Sequence, residues 1–172
     1  MHVLLGISGG IAAYKSPEIV RELRRKGHTV RCVLTANGAR LVAKDALAAV
    51  AGEAVYDSAW PGDGTMPHIS LARWADCLVV APLTADCAAR FALGLADDLL
   101  TTLFLALEPS KQVWLAPAMN TVMWNKPIVQ SHLATLTTGG ARILAPQSGT
   151  LACGEEGIGA MASPDAIAAA LG

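Results

Sequence analysis

The strongest constraint on the fold of this chain is an alternation between short apolar, β-prone runs and segments with helical periodicity. The runs are Val3–Ile7, Thr29–Leu34, Cys77–Ala81, Val113–Ala116 and Arg142–Leu144. Strands without polar alternation are buried on both faces, and parallel strands are joined by crossover connections that usually contain a helix. The alternation therefore predicts an α/β fold with a parallel sheet between two layers of helices.

Helical segments are predicted between these runs. After the first run, the apolar residues Ile11, Tyr14, Ile19, Val20 and Leu23 recur at helical spacing until Gly27. The further helical segments are Ala85–Leu93, Leu99–Leu107, Ile128–Thr138 and Pro164–Leu171. No internal repeat or linker divides the chain, so a single domain over residues 1–172 is expected.

Charge and composition exclude several classes of protein. The chain has 172 residues, of which 53% are hydrophobic, and 13 Lys and Arg against 14 Asp and Glu give a net charge of −1. These values exclude disorder, and the basic cluster Arg24-Arg25-Lys26 is too small for a nucleic-acid-binding protein. No apolar stretch approaches the roughly 20 residues that span a bilayer. We therefore expect a cytoplasmic protein with no nucleic-acid or membrane partner.

The cysteines indicate a reducing environment and no metal site. Cys32 and Cys77 fall inside apolar runs, where a free thiol behaves as a small buried hydrophobe. No pair of cysteines has the C-x-x-C spacing, and no histidine lies at ligand spacing from one.

The first run ends in a glycine-rich turn that suits a phosphate. Ser8-Gly9-Gly10 precedes a helix, whose start presents free N–H groups and a positive dipole end. After the second run, Thr35 stands where NAD-binding folds place an acidic residue, which favours a mononucleotide such as FMN. With so few basic residues, a phosphate is expected to be held by backbone N–H groups and hydroxyls. The alternative is a strand-to-helix turn that binds no ligand.

Two further strand ends carry residues that could contact a ligand, because α/β proteins bind ligands outside the carboxyl ends of their strands. Thr84 opens a helix, as either an N-cap or a cofactor contact. Asn120 follows another run, and its side-chain amide could hold a carboxylate. The alternative is a turn residue beside core-filling Met119.

Two long irregular segments carry the residues best suited to proton transfer. His68 follows the loop Ala59–Pro67, and imidazole titrates near neutral pH, although His68 could equally be a plain helix-start residue. Cys153 lies in Gln147–Met161, whose glycines predict a flexible flap at about residues 147–162. A thiol there could donate a proton over a closed site. The alternative is a disordered loop with an incidental cysteine.

Taken in order, these segments resemble the homo-oligomeric flavin-containing cysteine decarboxylases. The resemblance runs from about Val3 to Pro164. Its most specific parts are Pro117–Trp124, which matches the family motif P-x-M-N-x-x-M-W, and Leu151–Gly154, which is similar to the family's substrate clamp. The fold that the resemblance implies is a Rossmann-like (flavodoxin-like) three-layer sandwich.

The resemblance implies an FMN site and no metal. The residues implied to hold the phosphate end of FMN are Ser8, Gly10, Ile11, Ala12 and Thr35. Those implied to contact the rest of the flavin are Thr84, Ala85, Asp86, Cys87 and Ala118. Asp86 departs from the asparagine of the family motif P-A-S-A-N-T, which leaves the detail of that contact open.

The resemblance also assigns roles around the substrate. Asn120 would bind the substrate carboxylate, with Met119 and the clamp residues Ala152 and Gly154 as further substrate contacts. His68 would be the active-site histidine and Cys153 the proton donor. The site would lie between subunits of a homo-oligomer, a trimer or a dodecamer, with His68 facing a neighbour's flavin.

The implied activity is FMN-dependent decarboxylation of an N-acylcysteine. The leading substrate is 4′-phosphopantothenoylcysteine (PPC), converted to 4′-phosphopantetheine in coenzyme A biosynthesis. Oxidation by the flavin would give a thioaldehyde, whose C=S group accepts electrons as CO₂ leaves and yields an ene-thiolate. Cys153 would protonate that ene-thiolate.

Three alternatives stay open at this point. The first is oxidative decarboxylation of a peptide's C-terminal cysteine to an ene-thiol, as in lanthipeptide-type maturation. The second is a flavin-binding regulatory subunit without turnover. The third concerns the chain itself, which is either a stand-alone enzyme or a domain excised from a fusion with a ligase.

Overall fold

The central element of the protein is a six-stranded parallel sheet. The computed structural model describes residues 1–62, 64–151 and 154–172. The strands of the sheet are β1 (His2–Ile7), β2 (Thr29–Leu34), β3 (Val55–Tyr56), β4 (Cys77–Leu83), β5 (Gln112–Pro117) and β6 (Arg142–Ile143). They pair in the order β3-β2-β1-β4-β5-β6. This is the strand order of a Rossmann-type sheet, and without the short edge strand β3 it is the flavodoxin order, so the predicted fold class is confirmed.

Helices cover both faces of this sheet. They are α1 (Ser16–Arg25), α2 (Lys44–Ala51), α3 (Pro67–Trp74), α4 (Ala85–Leu93), α5 (Leu99–Ala106), α6 (Thr121–Trp124), α7 (Pro127–Thr138) and α8 (Pro164–Ala170). Helix α1 packs against α2 and α8, while α3 packs against α5 and α4 against α7. Among the described residues, no helix combines the length and apolar character needed to cross a membrane.

Strand β4 shows why the sheet is buried on both sides. All seven of its residues are buried. Cys77 and Val79 belong to the apolar core beneath α1, α2 and α8, whereas Leu78 and Val80 belong to the core beneath α3, α4, α5 and α7. Strand β4 is apolar along its whole length because both of its faces pack against helices, as the sequence predicts.

The structure contains elements that the sequence pattern did not predict. Strand β3 has two residues, and α2 is alanine-rich with only Leu47 and Ala51 buried, so neither carries a strong periodic signal. The helix predicted from Ile11 begins as a 3₁₀ turn at Ile11–Lys15, and α1 then starts at Ser16 with Pro17 in its first turn.

The prediction of an irregular flap over Gln147–Met161 is wrong for the described residues. Strands β7 (Gln147–Thr150) and β8 (Glu156–Ala160) form an antiparallel hairpin outside the main sheet. Its glycines have low strand propensity, so local sequence gives no strand signal. The hairpin owes its conformation to contacts with the segment that follows β5, which are described below.

Candidate functional site

Two neighbouring cavities open at the carboxyl edge of the sheet, near the point where β1 and β4 lie side by side. The chain leaves β1 toward β2 on one side and β4 toward β5 on the other, which makes this the switch point where open α/β sheets bind ligands. The first cavity has a volume of about 620 Å³ and the second about 540 Å³. Both lie in the size range of cofactor and small-molecule sites.

The residues predicted to contact a cofactor all line one of these cavities. Gly10, Ile11, Ala12 and Ala118 line the first cavity. Ser8, Thr35, Asp86 and Cys87 line the second. Thr84 and Ala85 line both and so form the wall between them. The topology therefore brings together four strand ends, those of β1, β2, β4 and β5, that are far apart in the sequence.

The glycine turn after β1 presents unpaired backbone donors. Within the residues that the structure describes, the N–H groups of Gly9, Ile11 and Ala12 donate no hydrogen bond. The turn is held by two bonds of its own, from Gly10 N to Ser8 O (2.9 Å) and from Ala13 N to Gly10 O (2.8 Å). Free N–H groups before a helix are suited to an anion such as a phosphate.

Ser8 and Thr84 join the ends of β1 and β4. The buried Ser8 hydroxyl donates to Pro82 O (2.7 Å) and accepts from Thr84 N (3.1 Å). Thr84 caps α4, because its Oγ1 accepts from Cys87 N (3.2 Å). The N-cap interpretation of Thr84 is therefore confirmed, and Thr84 as a cofactor contact stays a prediction. Ser8 has a structural task that the sequence did not reveal.

Thr35 resembles Ser8 in having internal partners. Its hydroxyl donates to Ile7 O (3.4 Å) and accepts from Gly38 N (3.1 Å). Because the hydroxyls of Ser8 and Thr35 are both engaged, the unpaired amides are the groups most available to an anion.

Lys15 lines the first cavity, which the sequence analysis did not foresee. Tyr14, which is 62% exposed, lines it too. Lys15 ends the 3₁₀ turn that follows the glycine turn, so its signal in the sequence is its nearness to Ser8-Gly9-Gly10. Its ammonium group lies 5.9 Å from the centre of the Tyr14 ring, and Lys15 brings one positive charge to the lining of this cavity, in addition to the predicted backbone donors.

Asn120 is held in a defined orientation at the wall of the first cavity. It caps α6, because its Oδ1 accepts from Met123 N (2.8 Å). With the carbonyl oxygen engaged, the NH₂ group is left as a donor, and it makes no hydrogen bond to the described part of the chain. A fixed amide donor matches the requirement of a carboxylate ligand. Met119 lines the same cavity.

The β7–β8 hairpin docks on this segment and walls the first cavity through Thr150, Gly159 and Ala160. Met119 N donates to Gly159 O (3.0 Å), and Thr121 Oγ1 donates to Ile158 O (2.8 Å). A Cβ atom on Gly159 would lie 2.0 Å from Met119 O. The glycines here permit close packing, which is a different role from the flexibility that the sequence suggested.

Asp86, the departure from the family motif, is ion-paired. Arg90 Nε donates to Asp86 Oδ2 (2.9 Å), and Arg90 Nη1 also bonds to Asp97 Oδ2. These bonds, first that to Asp97 and then that to Asp86, raise the pKa of Arg90 above its usual range. The pairing lowers the pKa of the Asp97 carboxyl.

The described cysteines are buried free thiols, as predicted for Cys32 and Cys77. Burial raises the pKa of each of Cys32, Cys77 and Cys87 to about 12. Cys87 lines the second cavity, but its thiol stays protonated at neutral pH and is a poor nucleophile. In the described ranges, no group of three or more His, Cys, Asp or Glu side chains is arranged to hold a metal ion.

Two further predicted residues that the structure describes, His68 and Gly154, line neither cavity. His68 lies in the first turn of α3 and lines neither cavity. Its Nδ1 is buried without a hydrogen-bond partner among the described residues, and its ring lies 6.4 Å from that of Trp60. Gly154 is in the hairpin turn, where its N donates to Leu151 O (2.8 Å). Ala152 and Cys153 lie outside the described residues.

A family model described as flavoprotein matches residues 1–171. The chain is 44% identical over 172 residues to the coenzyme A biosynthesis bifunctional protein CoaBC of Haemophilus influenzae, covering 99% of this chain and 42% of that protein. It is 43% identical over 164 residues to CoaBC of Escherichia coli K12, covering 94% and 40%. The chain therefore spans less than half the length of these curated relatives.

Solved structures give a matching result. A PPC decarboxylase mutant complexed with pantothenoylaminoethenethiol is similar with a TM-score of 0.90 and 37% identity, covering 99% of this chain and 95% of that one. The FMN-binding protein AtHal3 is similar with a TM-score of 0.85 and 37% identity, covering 99% and 94%. SpaF, an FMN-dependent cysteine decarboxylase, is similar with a TM-score of 0.83 and 31% identity, covering 100% and 98%.

Proposed function

Because this chain belongs to the flavoprotein family, we propose that it binds FMN and decarboxylates the cysteine carboxylate of PPC, a step of coenzyme A biosynthesis. The observation that carries the proposal is Asn120, whose amide is oriented by its cap so that the NH₂ group remains as a donor at the first cavity. The similarity to CoaBC and to PPC decarboxylase supports the same reaction.

The described residues fit FMN. The unpaired amides of Gly9, Ile11 and Ala12 suit its phosphate, and the cavity walls at Ala85 and Ala118 are small and apolar, as a flavin ring requires. A side chain at Gly9 would meet Asn37, because a Cβ atom there would lie 2.3 Å from Asn37 Cβ. The turn can therefore lie close to the loop after β2, and the two loops together form the phosphate end of the site.

When bound, FMN supplies an electron acceptor that converts the thiol-bearing carbon of the substrate into a thioaldehyde, which allows CO₂ to leave. The residues of the chain orient the substrate and transfer protons to and from it. Asn120 holds the carboxylate by hydrogen bonding without a full ion pair, so that the departing group is not overstabilised in the ground state. His68 acts on the thiol proton, and Cys153 returns a proton to the product ene-thiolate.

Residues 147–162 act as a substrate clamp in this proposal. The hairpin reaches the first cavity through Thr150, Leu151 and Gly159, so a substrate in that cavity lies against it. Lys15 favours a substrate with an additional anionic group, such as the phosphate of PPC, over an uncharged acyl group.

The enzyme acts in this proposal as a cytoplasmic homo-oligomer, with His68 contributed to the flavin of a neighbouring subunit. Two observations support this arrangement. His68 lines neither cavity of its own chain, and next to it stands Trp60, which is 75% exposed. Tryptophan is enriched at protein–protein interfaces, so Trp60 is a side chain that a neighbouring subunit would bury. We propose that the smallest form of this assembly is a trimer. Light scattering of the FMN-loaded protein measures its molar mass and so the number of subunits.

A second candidate is oxidative decarboxylation of a peptide that ends in cysteine. The similarity to SpaF, which is an FMN-dependent cysteine decarboxylase, supports a cysteine carboxylate as the reacting group, which a peptide that ends in cysteine also carries. The two reactions differ in their products. PPC turnover would give a saturated thiol, because the two electrons taken up by FMN would return to the ene-thiolate together with the proton from Cys153. The peptide reaction would stop at the ene-thiol and leave those electrons on FMN for an external oxidant.

Product masses distinguish these functions. The FMN-loaded protein is incubated separately with PPC and with a short peptide ending in cysteine, and the products are weighed. We expect PPC to lose the mass of CO₂ alone. Loss of CO₂ and two hydrogens from the peptide, with PPC unchanged, would favour the second candidate. If neither substrate changes mass, the protein is a flavin-binding subunit without turnover.

A further inference from the structure

Asp86 brings a negative charge to the second cavity, which adjoins the first through the shared wall residues Thr84 and Ala85, where the flavin is proposed to lie. It lies in the first turn of α4, directly after the cavity-lining residues Thr84 and Ala85, and lines the second cavity itself. The corresponding family motif has a neutral asparagine. A carboxylate close to a flavin opposes reduction, because the reduced ring carries negative charge.

Arg90 compensates this charge. It lies one helical turn beyond Asp86 and bonds to that carboxylate through Nε at 2.9 Å. Its Nη1 bonds to Asp97, which lies in the loop between α4 and α5. One guanidinium therefore bridges two carboxylates, and all three side chains line the second cavity. We call this set the Asp86–Arg90–Asp97 network.

The network also ties down a wall of the cavity. The loop after α4 contains Gly94 in the left-handed region (φ +69°) and ends at Asp98, whose Oδ1 caps α5 by accepting from Thr101 N (2.7 Å). Arg90 is the side chain that links this loop back to α4. Its planar fork suits such a bridge better than a point charge does.

Stability alone does not explain the arrangement. The side chains of Asp86 and Asp97 are 73% and 62% exposed, and ion pairs of that kind contribute little to folding. Its position at the cavity distinguishes the network from the pair Arg25–Glu22 on α1, which lines neither cavity.

From these contacts we infer that Arg90 is a positioning residue, which neutralises Asp86 toward the flavin and fixes the α4–α5 loop, and thereby sets the reduction potential of bound FMN. The inference rests on the proposed FMN binding. It assigns to Arg90 a role that the family motif does not contain, and it explains how an aspartate is tolerated in place of the asparagine.

Substitutions that remove the charge of Arg90, of Asp86 or of both test this inference. The reduction potential of bound FMN is measured by equilibration with a reference dye, alongside the dissociation constant of oxidised FMN. Arg90→Gln leaves two carboxylates uncompensated and should lower the potential. Asp86→Asn removes one negative charge and leaves Arg90 paired with Asp97 alone, so it should raise the potential. The double variant D86N/R90Q should return close to the wild-type value. Each single change should alter the ratio of reduced to oxidised FMN affinity by up to about tenfold, the order expected for one charge near a partly solvated site.

Two further variants separate charge from structure. Arg90→Lys keeps the charge and should keep the potential, even if FMN binds more weakly. Arg25→Gln removes an arginine from a remote pair and should change neither quantity. A purely structural role for Arg90 would change the affinities of oxidised and reduced FMN equally and leave the potential unmoved.

The outcomes distinguish this inference from the proposed function. A wild-type protein that binds no FMN refutes the proposed function. A wild-type protein that binds FMN, with an unchanged potential in Arg90→Gln or with equal shifts in Arg90→Gln and D86N/R90Q, overturns the inference while FMN binding stands.

Discussion

Two glycine-rich segments wall the first cavity, and they use glycine in opposite ways. In the turn after β1, the amides of Gly9, Ile11 and Ala12 are unpaired and available to a ligand. In the β7–β8 hairpin, Gly157 and Gly159 lie so close to the segment after β5 that any side chain would collide with it. The first segment leaves backbone N–H groups free for a ligand, whereas the second segment packs its backbone against the residues that follow β5.

The difference shows that glycine content does not by itself indicate flexibility. Both segments are rich in glycine. Whether a given glycine is needed for close packing depends on which atoms occupy the position where a Cβ atom would lie. At Gly157 that atom is Thr121 Oγ1, at 2.2 Å, and at Gly149 no atom lies within 4 Å. The close glycine contacts that anchor the hairpin therefore lie in β8, whereas Gly149 in β7 has no such contact.

The largest expected effect is at Asn120, which lies in the segment after β5 that holds the β7–β8 hairpin. Asn120→Asp keeps an oxygen that can cap α6 but replaces the amide donor with a negative charge. A substrate carboxylate then meets a like charge, so we expect kcat/KM to fall by about 100-fold or more. Steady-state kinetics measure this, and the thermal midpoint should be unchanged. Activity within about twofold of wild type would remove Asn120 from the carboxylate site.

Gly159→Ala should detach the hairpin from its anchor. The added Cβ would lie 2.0 Å from Met119 O, and the φ of +142° disfavours any side chain. Misplacing the clamp by about an ångström should lower kcat by about 100-fold. The matched control is Gly149→Ala in the same hairpin, which should keep full activity. Equal losses in both variants would contradict the proposed anchoring.

Gly9→Ala probes the other segment. Its Cβ would displace Asn37 or the turn, which disturbs the free amides. We expect the affinity for FMN to fall by about tenfold, the consequence of a local clash of about 1–3 kcal/mol. Fluorescence titration with FMN measures the change, and Gly139→Ala, remote from both cavities, is the control. Unchanged FMN affinity would show that the turn does not hold the phosphate.

Thr121→Val should have the smallest effect. It removes the 2.8 Å hydrogen bond to Ile158 O and leaves the glycine contacts of the hairpin in place. The loss of one such bond costs about 1 kcal/mol. Urea denaturation should show a destabilisation of that order, with only a few-fold loss of kcat. A loss as large as that of Gly159→Ala would mean that this hydrogen bond, and not close packing, holds the hairpin.

The sequence predicted those parts of the molecule that depend on local pattern. The buried strand β4 and helix α4 (Ala85–Leu93) follow from apolar runs, a cap residue and a terminal glycine. Ser8 and Thr84 were predicted to be site residues, but their mutual hydrogen bond was not predicted, because it joins positions 76 residues apart. Such contacts exist only once the sheet has formed.

The missed features share that dependence on tertiary contact. The strands β7 and β8 have weak intrinsic propensity and are fixed by Met119 and Thr121. The pairing of Asp86 with Arg90 was readable from their spacing, but the bond from Arg90 to Asp97 needed the turn between α4 and α5.

Release of CO₂ from a carboxyl-labelled substrate tests the proposed function most directly. PPC labelled in the cysteine carboxylate is added to the FMN-loaded protein and, separately, to the same protein stripped of FMN, and labelled CO₂ is collected. We predict multiple turnovers with FMN and none without it. Label release at equal rates from both preparations, or no release from the FMN-loaded protein, would contradict FMN-dependent decarboxylation at this site.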